Sequence, residues 1–574
     1  MGRFQKQCWR FIRDFAQRRL LDESGRRMSA AAEALLRREP AWMERGIGLA
    51  AAVLARADWS PRPPPAAEAI GDYACRVTDA CARELIRSCS GPTFPPDFEM
   101  LTLVPAIELL LPRASARQRR LWLRAAATCA RVARDFLLNK EAAWGQPGPH
   151  TGCGPNHLFI IAAPLYRLGR LLGEDRDCRL ARRAMRRLCG LQNREGYFPE
   201  DSGPVVNYHR VSVLGLCDYR RASGDRFVEP FIARGVSFLL RAMYPNLAGI
   251  ETLDQRNRSG LRVGQAGACP GAVDACFGCH PAGRRLAQRV LAGLQERLEA
   301  QPERIPLSMP GHVALAGLLY ADGPTARTLP CERKSFVDRF EGMAGIVRRD
   351  GWMLALSGYH ASDRPGNPFI LDRTQNLSVF HDRFGLIIGG GHDKRNFQAA
   401  TFEVVESGYV YYFPPIDGSA RAAGRGGRVD LQYGPASARL SAAIRSPRRV
   451  ELVAGLRTTF SAQENRLNLQ VPVGPGATVR IDGRRVRLDG KAPAPRRWPV
   501  KRWFEPIDGV RVELPGGGEF RWPVLPFNSY NIPEHTSTIA AATGYLRLDL
   551  SGRDLAERTI GISLGSQAAW PPRV

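Results

Sequence analysis

The hydrophobic period of this chain changes once, near Arg327, and that change divides what it can fold into. Up to about residue 328, apolar residues recur at helical spacing, in runs at 101–111, 121–138, 158–172, 180–191, 211–219, 286–298 and 313–320. Phe227, Val228, Phe231, Ile232, Leu239 and Leu240 add one more helical face. Gly and Pro punctuate the gaps, as at 145–149 and 152–155. Helical hairpins repeated this often close into a bundle, a solenoid or a toroid. Beyond the change, Trp352, Leu354 and Leu356 alternate with their neighbours after an Asp350-Gly351 turn. Strand-like runs follow at 385–388, 402–412, 450–456, 467–471, 479–488, 510–514, 545–550 and 560–564. Many short strands with Gly-rich turns predict an antiparallel β-sandwich. A chain of 574 residues suits two such domains, 1–328 and 329–574, joined through 324–338. Neither half shows a repeat of fixed period.

The net charge is +26, nearly all of it arginine; lysine occurs only at 6, 140, 334, 394, 491 and 501. Two explanations stand side by side: attraction for a polyanion, and a genome-wide bias toward arginine codons. No helix-turn-helix, RNA-binding or zinc-finger signature is present, which favours an acidic polysaccharide over nucleic acid as the polyanion. The apolar run 158–172 is broken by Pro164, Arg167 and Arg170, and no segment is long and apolar enough to span a bilayer. Trp9, Phe11, Ile12, Phe15 and Leu20, interleaved with arginines, predict a basic amphipathic helix packed on the domain, with membrane-surface contact as the alternative. The first residues lack the features of a secretory signal, so the expected compartment is the cytoplasm, or the periplasm if the true start differs. Thirteen cysteines scattered over the first 331 residues are no disulfide framework and read as buried thiols.

Two short clusters carry the chemistry. Gly154-Pro155-Asn156-His157 runs into the helix at 158, and Val206-Asn207-Tyr208-His209 precedes the helix at 211. One further helix and a long polar loop, 193–207, lie between them. In a series of paired helices, alternate helices run the same way, so both clusters belong on one rim. Asn156 reads as a helix cap and His157 as a surface residue if each is taken alone. Together with Tyr208 they can serve a uronate, whose C5 proton becomes removable once its carboxylate is neutralised. An amide and an imidazole neutralise; a phenol removes the C5 proton and returns one to O4 in a syn elimination. In an anti elimination a histidine takes the proton and Tyr208 is the acid. Neither scheme needs a metal or other cofactor.

An Asn-His pair ahead of one helix, a Tyr ahead of the next but one, and the passage from helices to strands resemble the heparinase II/III-like polysaccharide lyases, which include alginate and oligoalginate lyases. The resemblance spans most of the chain. It implies an N-terminal (α/α) toroid followed by an antiparallel β-sandwich, with an acidic glycan cleaved by β-elimination. It implies Asn156, His157 and Tyr208 as catalytic residues, joined by a histidine from the first strands of the second domain. His360, in Ser357-Gly358-Tyr359-His360, is the expected residue, and His381 its rival. Tyr197, His209, Arg210, Arg256, Tyr359 and His381 are the expected substrate contacts. Arg258, Arg364 and Arg373 face the same choice between sugar and solvent.

Other signals compete. Cys276-Phe277-Gly278-Cys279-His280 fits covalent haem attachment, with Met309 as distal ligand, or zinc with Cys269 added, but reads better as plain thiols. His381, His392 and Asp393 could hold a structural metal. A glycoside hydrolase would use Glu251 with Asp254, or Glu200 with Asp201. A non-catalytic binder of acidic glycans is the third reading. The uronate, its sulfation, the cutting mode and the oligomeric state are not written in the sequence.

Overall fold

The computed structural model describes residues 2–37, 46–54, 67–89, 94–141, 154–199, 203–253, 272–360, 376–389, 401–406, 409–412, 415–434, 436–458, 464–489, 495–525, 539, 542–550 and 557–565. The described chain forms two compact units. The first takes Met1–Pro199, Tyr208–Leu240 and Cys269–Leu329; the second takes Glu200–Asn207, Arg241–Ala268 and Pro330–Val574.

The first unit is helical: α1 (Arg3–Arg19), α2 (Ala30–Arg37), α3 (Ile47–Leu54), α4 (Ala67–Ser88), α5 (Asp97–Leu110), α6 (Ala116–Asn139), α7 (Pro155–Leu172), α8 (Asp175–Cys189), α9 (Val206–Ser223), α10 (Glu229–Arg241), α11 (Arg284–Ala300) and α12 (Met309–Leu319). Composition sorts several of these into two layers. The residues of α3 are all buried, and α5, α7 and α12 are apolar around most of their circumference. Such helices need neighbours on every side. They find them in one another, because α3 packs on α5 and α12, and α5 on α7. Outside them lie α4, α6 and α8, which bury one stripe and turn arginines outward. This is an α/α arrangement of inner and outer helices. The amphipathic α1 packs its apolar face on α12, with Phe4 stacked on Tyr320 at 4.0 Å, as the helical pattern predicts.

The second unit is antiparallel throughout the paired strands described. Its first sheet is a five-stranded meander: β1 (Phe336–Phe340), β2 (Ala344–Arg349), β3 (Trp352–Ser357), β4 (Leu377–His381) and β5 (Gly385–Ile388). Sheets of nine and six strands follow. Their inner faces meet in one apolar core, with Leu440, Leu452, Phe504 and Ile560 from the nine-stranded sheet and Leu467, Leu469, Phe520 and Leu546 from the other. The strand Ala436–Ser446 shows the alternation of buried and open residues that such a face requires. The run 402–412 is two paired strands, Phe402–Glu406 and Tyr409–Tyr412, and 479–488 is a hairpin of Thr478–Ile481 and Arg484–Arg487. Segment 241–253 is stitched to the first sheet. Arg241 clasps Asp338 with two bonds of 2.7 Å, and the buried Glu251 accepts from Tyr244 (2.8 Å) and from Ser378 (2.5 Å).

Candidate functional site

The site begins with the way α7 starts. Gly154 is the N-cap, and Pro155 takes the first helical position, where its missing N–H costs nothing. That moves Asn156 off the cap position expected for it and to the second position of the helix. Asn156 is 2% exposed, and its amide oxygen is sealed from solvent with no hydrogen-bond partner among the described residues. An unpartnered buried amide oxygen is costly. His157 follows, partly exposed, with its ring edge-on to Phe94 and Phe98. Its Nδ1 lies 2.5 Å from Oδ2 of Asp97, the buried first residue of α5. A carboxylate can only accept, so Nδ1 carries the proton and Nε2 is the ring nitrogen that Asp97 does not engage.

Three inner helices begin at this rim. Arg167 of α7 reaches Glu108 of α5 (2.8 Å) and Asp218 of α9 (2.7 Å), and Tyr166 meets Tyr219 edge-on. Phe159 lies against Gly215, where a Cβ would meet backbone at 2.8 Å; only glycine permits that approach of α9 to α7. Residue numbers rise together from Asp97–His157 to Glu108–Arg167 and from Phe159–Gly215 to Arg167–Asp218, so α5, α7 and α9 are parallel. Counting back from Phe159 and Gly215, Asn156 sits about 4.5 Å and Tyr208 about 10.5 Å toward the rim. Asn156, His157 and Tyr208 thus share one end of the helical unit, at three helix N-termini, where the helix dipoles favour negative charge. Tyr208 is half-buried and lies in the first turn of α9, not in the preceding loop where the sequence pattern put it.

Other expected contacts are corrected. His209 is 1% exposed. Its Nδ1 accepts from the Phe198 N–H (3.2 Å), and its Nε2 donates to the Gly235 carbonyl (3.0 Å). Burial, together with Arg210 and against the bond to Gly235, lowers its pKa from 6.5 to about 4. It is a neutral internal strut with no nitrogen left for a sugar. Arg210 is turned to the buried Asp274, 3.0 Å away, whose carboxyl burial pushes upward against the pull of Arg210. Tyr197 is buried against Phe238. In the second unit Tyr359 is buried, with its backbone N–H bonded to Ser357. His381 is held in the β4–β5 hairpin, where Nδ1 accepts from the Arg383 N–H (3.2 Å) and the ring packs on Trp352. Burial, with Arg383 adding to it, lowers the His381 pKa to about 4. His360 follows β3, partly exposed, with Nε2 3.9 Å from the Asp417 carboxylate. Arg256, Arg258, Arg364, Arg373, Cys269, His392, Asp393, Asp254, Glu200 and Asp201 lie outside the described residues.

Asp97 is the residue that sequence reasoning missed. Pro95-Pro96-Asp97 reads as an ordinary helix start, and nothing in it points to a histidine 60 residues on. The Cys276–His280 motif resolves into local bonds. The Cys276 thiol turns to the His312 carbonyl, the free Cys279 and Cys217 thiols are hydrogen-bonded, and His280 Nδ1 accepts from the Ala282 N–H. Among the described residues no group of three or more His, Cys, Asp and Glu is placed to hold a metal ion, and no helix is long and apolar enough to cross a membrane.

Neither a family model nor a curated protein sequence matches the chain. Solved structures do. Heparinase III superposes with a TM-score of 0.54 at 12% identity, covering 99% of this chain and 86% of that one. A single-residue mutant of chondroitin AC lyase from Streptomyces coelicolor A3 gives 0.50 at 13% identity, covering 99% and 83%. At these identities the likeness speaks for architecture. The chain has the fold of the heparinase-like polysaccharide lyases.

Proposed function

We propose that this protein is a lyase that cleaves a uronate-bearing acidic glycan by β-elimination. The observation that carries the reading is the shared rim. A buried Asn156 amide and an Asp97-bound His157 open one inner helix, and Tyr208 opens the next but one. In the proposed reaction the uronate carboxylate is held by the Asn156 side-chain N–H and by His157 at Nε2, beside the helix N-termini. Charge that spreads from C5 onto that carboxylate is then stabilised by donors already in place. The phenolate of Tyr208 takes the C5 proton, the C–H electron pair becomes the C4–C5 double bond, and the C4–O4 bond breaks. The proton on Tyr208 passes to the leaving O4, and the phenolate is regenerated. The products are a new reducing end and an unsaturated uronate.

The fold of the two lyases named above supports this class of reaction. The hydrolase reading draws less support, because both carboxylate oxygens of Glu251 are engaged by Ser378 and Tyr244. The test is near-ultraviolet absorbance, which the new double bond confers, over a panel of polyuronates and sulfated glycosaminoglycans. A rise with one of them, abolished in Tyr208→Phe, is the expected result. Reducing ends formed without absorbance would instead mean hydrolysis, and binding with neither would mean a glycan-binding protein.

A further inference from the structure

We propose a second polyanion site, a docking strip on the outer face of α8, distinct from the rim. Leu180, Ala181, Ala184, Met185 and Leu188 bury the inner face of this helix, which packs on α7. Arg179, Arg182, Arg183, Arg186 and Arg187 occupy the other face at i, i+3, i+4, i+7 and i+8, and all five are exposed. They border a surface depression of about 470 Å3. From Arg179 to Arg187 the row runs about 12 Å, with guanidinium groups repeating each turn.

A codon bias scatters arginine without regard to the acids around it. The helix α11 shows that pattern, with Glu296 and Glu299 set among Arg284, Arg285, Arg289 and Arg297. Between Cys178 and Cys189, α8 carries no acid at all. Neighbouring elements supply two carboxylates. Glu141 takes Arg183 in two bonds of 2.9 and 3.1 Å. Asp225 stands 3.8 Å from Arg186, but it is also bonded by the Tyr219 hydroxyl and the Phe227 N–H. Arg182 is held by the hydroxyls of Tyr219 and Tyr166, which leave its charge intact, and Arg186 lies over the Phe227 ring. Arg179 and Arg187 have no acidic partner among the described residues. Three guanidinium groups are therefore fixed in place and two are open, so the strip is preorganised and net positive.

Direction matters as much as charge. Gly173, left-handed at φ 74°, ends α7, and one further residue leads into α8, so the two helices are antiparallel. The C-terminal end of α8, with Arg186 and Arg187, thus lies at the end of the unit where α7 begins with Asn156 and His157. A long anionic chain lying along α8 heads toward that rim. The choice of an acidic glycan as occupant rests on the proposed lyase activity, and it agrees with the absence of any aromatic side chain on α8 on which bases could stack.

The test uses the full chain with Arg179→Glu/Arg187→Glu, which breaks none of the ion pairs described. Heparin and polygalacturonate serve as polymer probes, duplex DNA as the contrast, and binding is read by fluorescence anisotropy over a salt series. The strip predicts that affinity for at least one glycan polymer falls about tenfold or more and that its salt dependence flattens, with the melting temperature unchanged. Turnover of a short unsaturated-product-forming oligosaccharide should stay at the wild-type rate. Polymer affinity within twofold of wild type overturns the strip, and so does duplex DNA bound as tightly as the glycans and lost in parallel. Should charge reversal upset folding, Arg179→Gln/Arg187→Gln gives the same comparison with a smaller effect. The Tyr208→Phe background, inactive under the proposed mechanism, lets polymer affinity with and without the strip be read free of cleavage. A wild type that binds but never forms unsaturated product removes the lyase reading and leaves the strip standing.

Discussion

The starts of α7 and α9 each carry a histidine near the first turn, and the two are held in opposite ways. His157 gives one nitrogen to a carboxylate, and its other nitrogen has no hydrogen bond among the described residues. His209 gives both nitrogens to backbone groups and is closed off. A side chain bonded to the backbone on both sides joins elements: here it ties α9 to the turn at Phe198 and to α10 at Gly235. A side chain oriented by one buried acid and left open on the other side is arranged for a ligand. Residue type and neighbouring sequence are similar in the two places. The partners decide the role.

The largest separation should come from Tyr208, the first-turn neighbour of His209. Tyr208→Phe removes the proton-transfer atom and should cost about 100- to 10,000-fold in turnover. Its unfolding free energy should stay within about 1 kcal/mol of wild type. A turnover loss below about tenfold would put the base elsewhere. The opposite profile belongs to His209→Leu. It leaves the Phe198 N–H and the Gly235 carbonyl unpaired inside the unit, and the expected destabilisation in urea is about 2–5 kcal/mol. If that variant melts like wild type, the contrast between strut and reagent is broken.

The sequence carried the two-part architecture well, because the change from period 3.6 to period 2 is a direct image of inner and outer helices giving way to sheets. It carried the common rim of Asn156, His157 and Tyr208 for the same reason, since helix alternation is a topological fact. Strands at 417–446 escaped. Five of their ten buried positions are alanine, Ala420, Ala422, Ala436, Ala438 and Ala442, so the alternation is complete in burial and interrupted in hydrophobicity. Burial of individual polar residues was also illegible. Nothing near His209, Tyr197 or Tyr359 marks them as interior, and Asp97 meets His157 only because α5 and α7 lie side by side. Pro155 was legible as a helix start, but its place at the first helical position shifts the cap to Gly154.

Asp97 sharpens the comparison further, with a smaller effect. Asp97→Asn keeps the acceptor that bonds the Phe98 N–H at 2.8 Å and removes the charge beside Nδ1. The neutral amide accepts from Nδ1 more weakly than the carboxylate, so the ring that offers Nε2 to the substrate carboxylate is held less firmly. Loss of a charge-assisted bond of this kind corresponds to about 10- to 100-fold in turnover. Asp97→Glu should recover part of it. An unchanged rate would mean that His157 works without its buried partner.

The finest discrimination is by pH, and its sign follows from His209. Folding lowers its pKa from 6.5 to about 4, so between those values the unfolded chain binds the proton and the folded chain does not. Stability from this group is therefore complete above 6.5 and is lost as the pH falls toward 4. Between about pH 7.5 and about pH 5 the loss amounts to about 2 kcal/mol. His209→Leu has no such proton to bind. The stability gap between wild type and this variant, measured in urea, should accordingly narrow by about that amount on acidification, while the gap between wild type and Tyr208→Phe should not move. A His209 gap that holds constant with pH would mean that the ring is not sealed as the bonds to Phe198 and Gly235 require, and the distinction between the two helix starts would lose its physical basis.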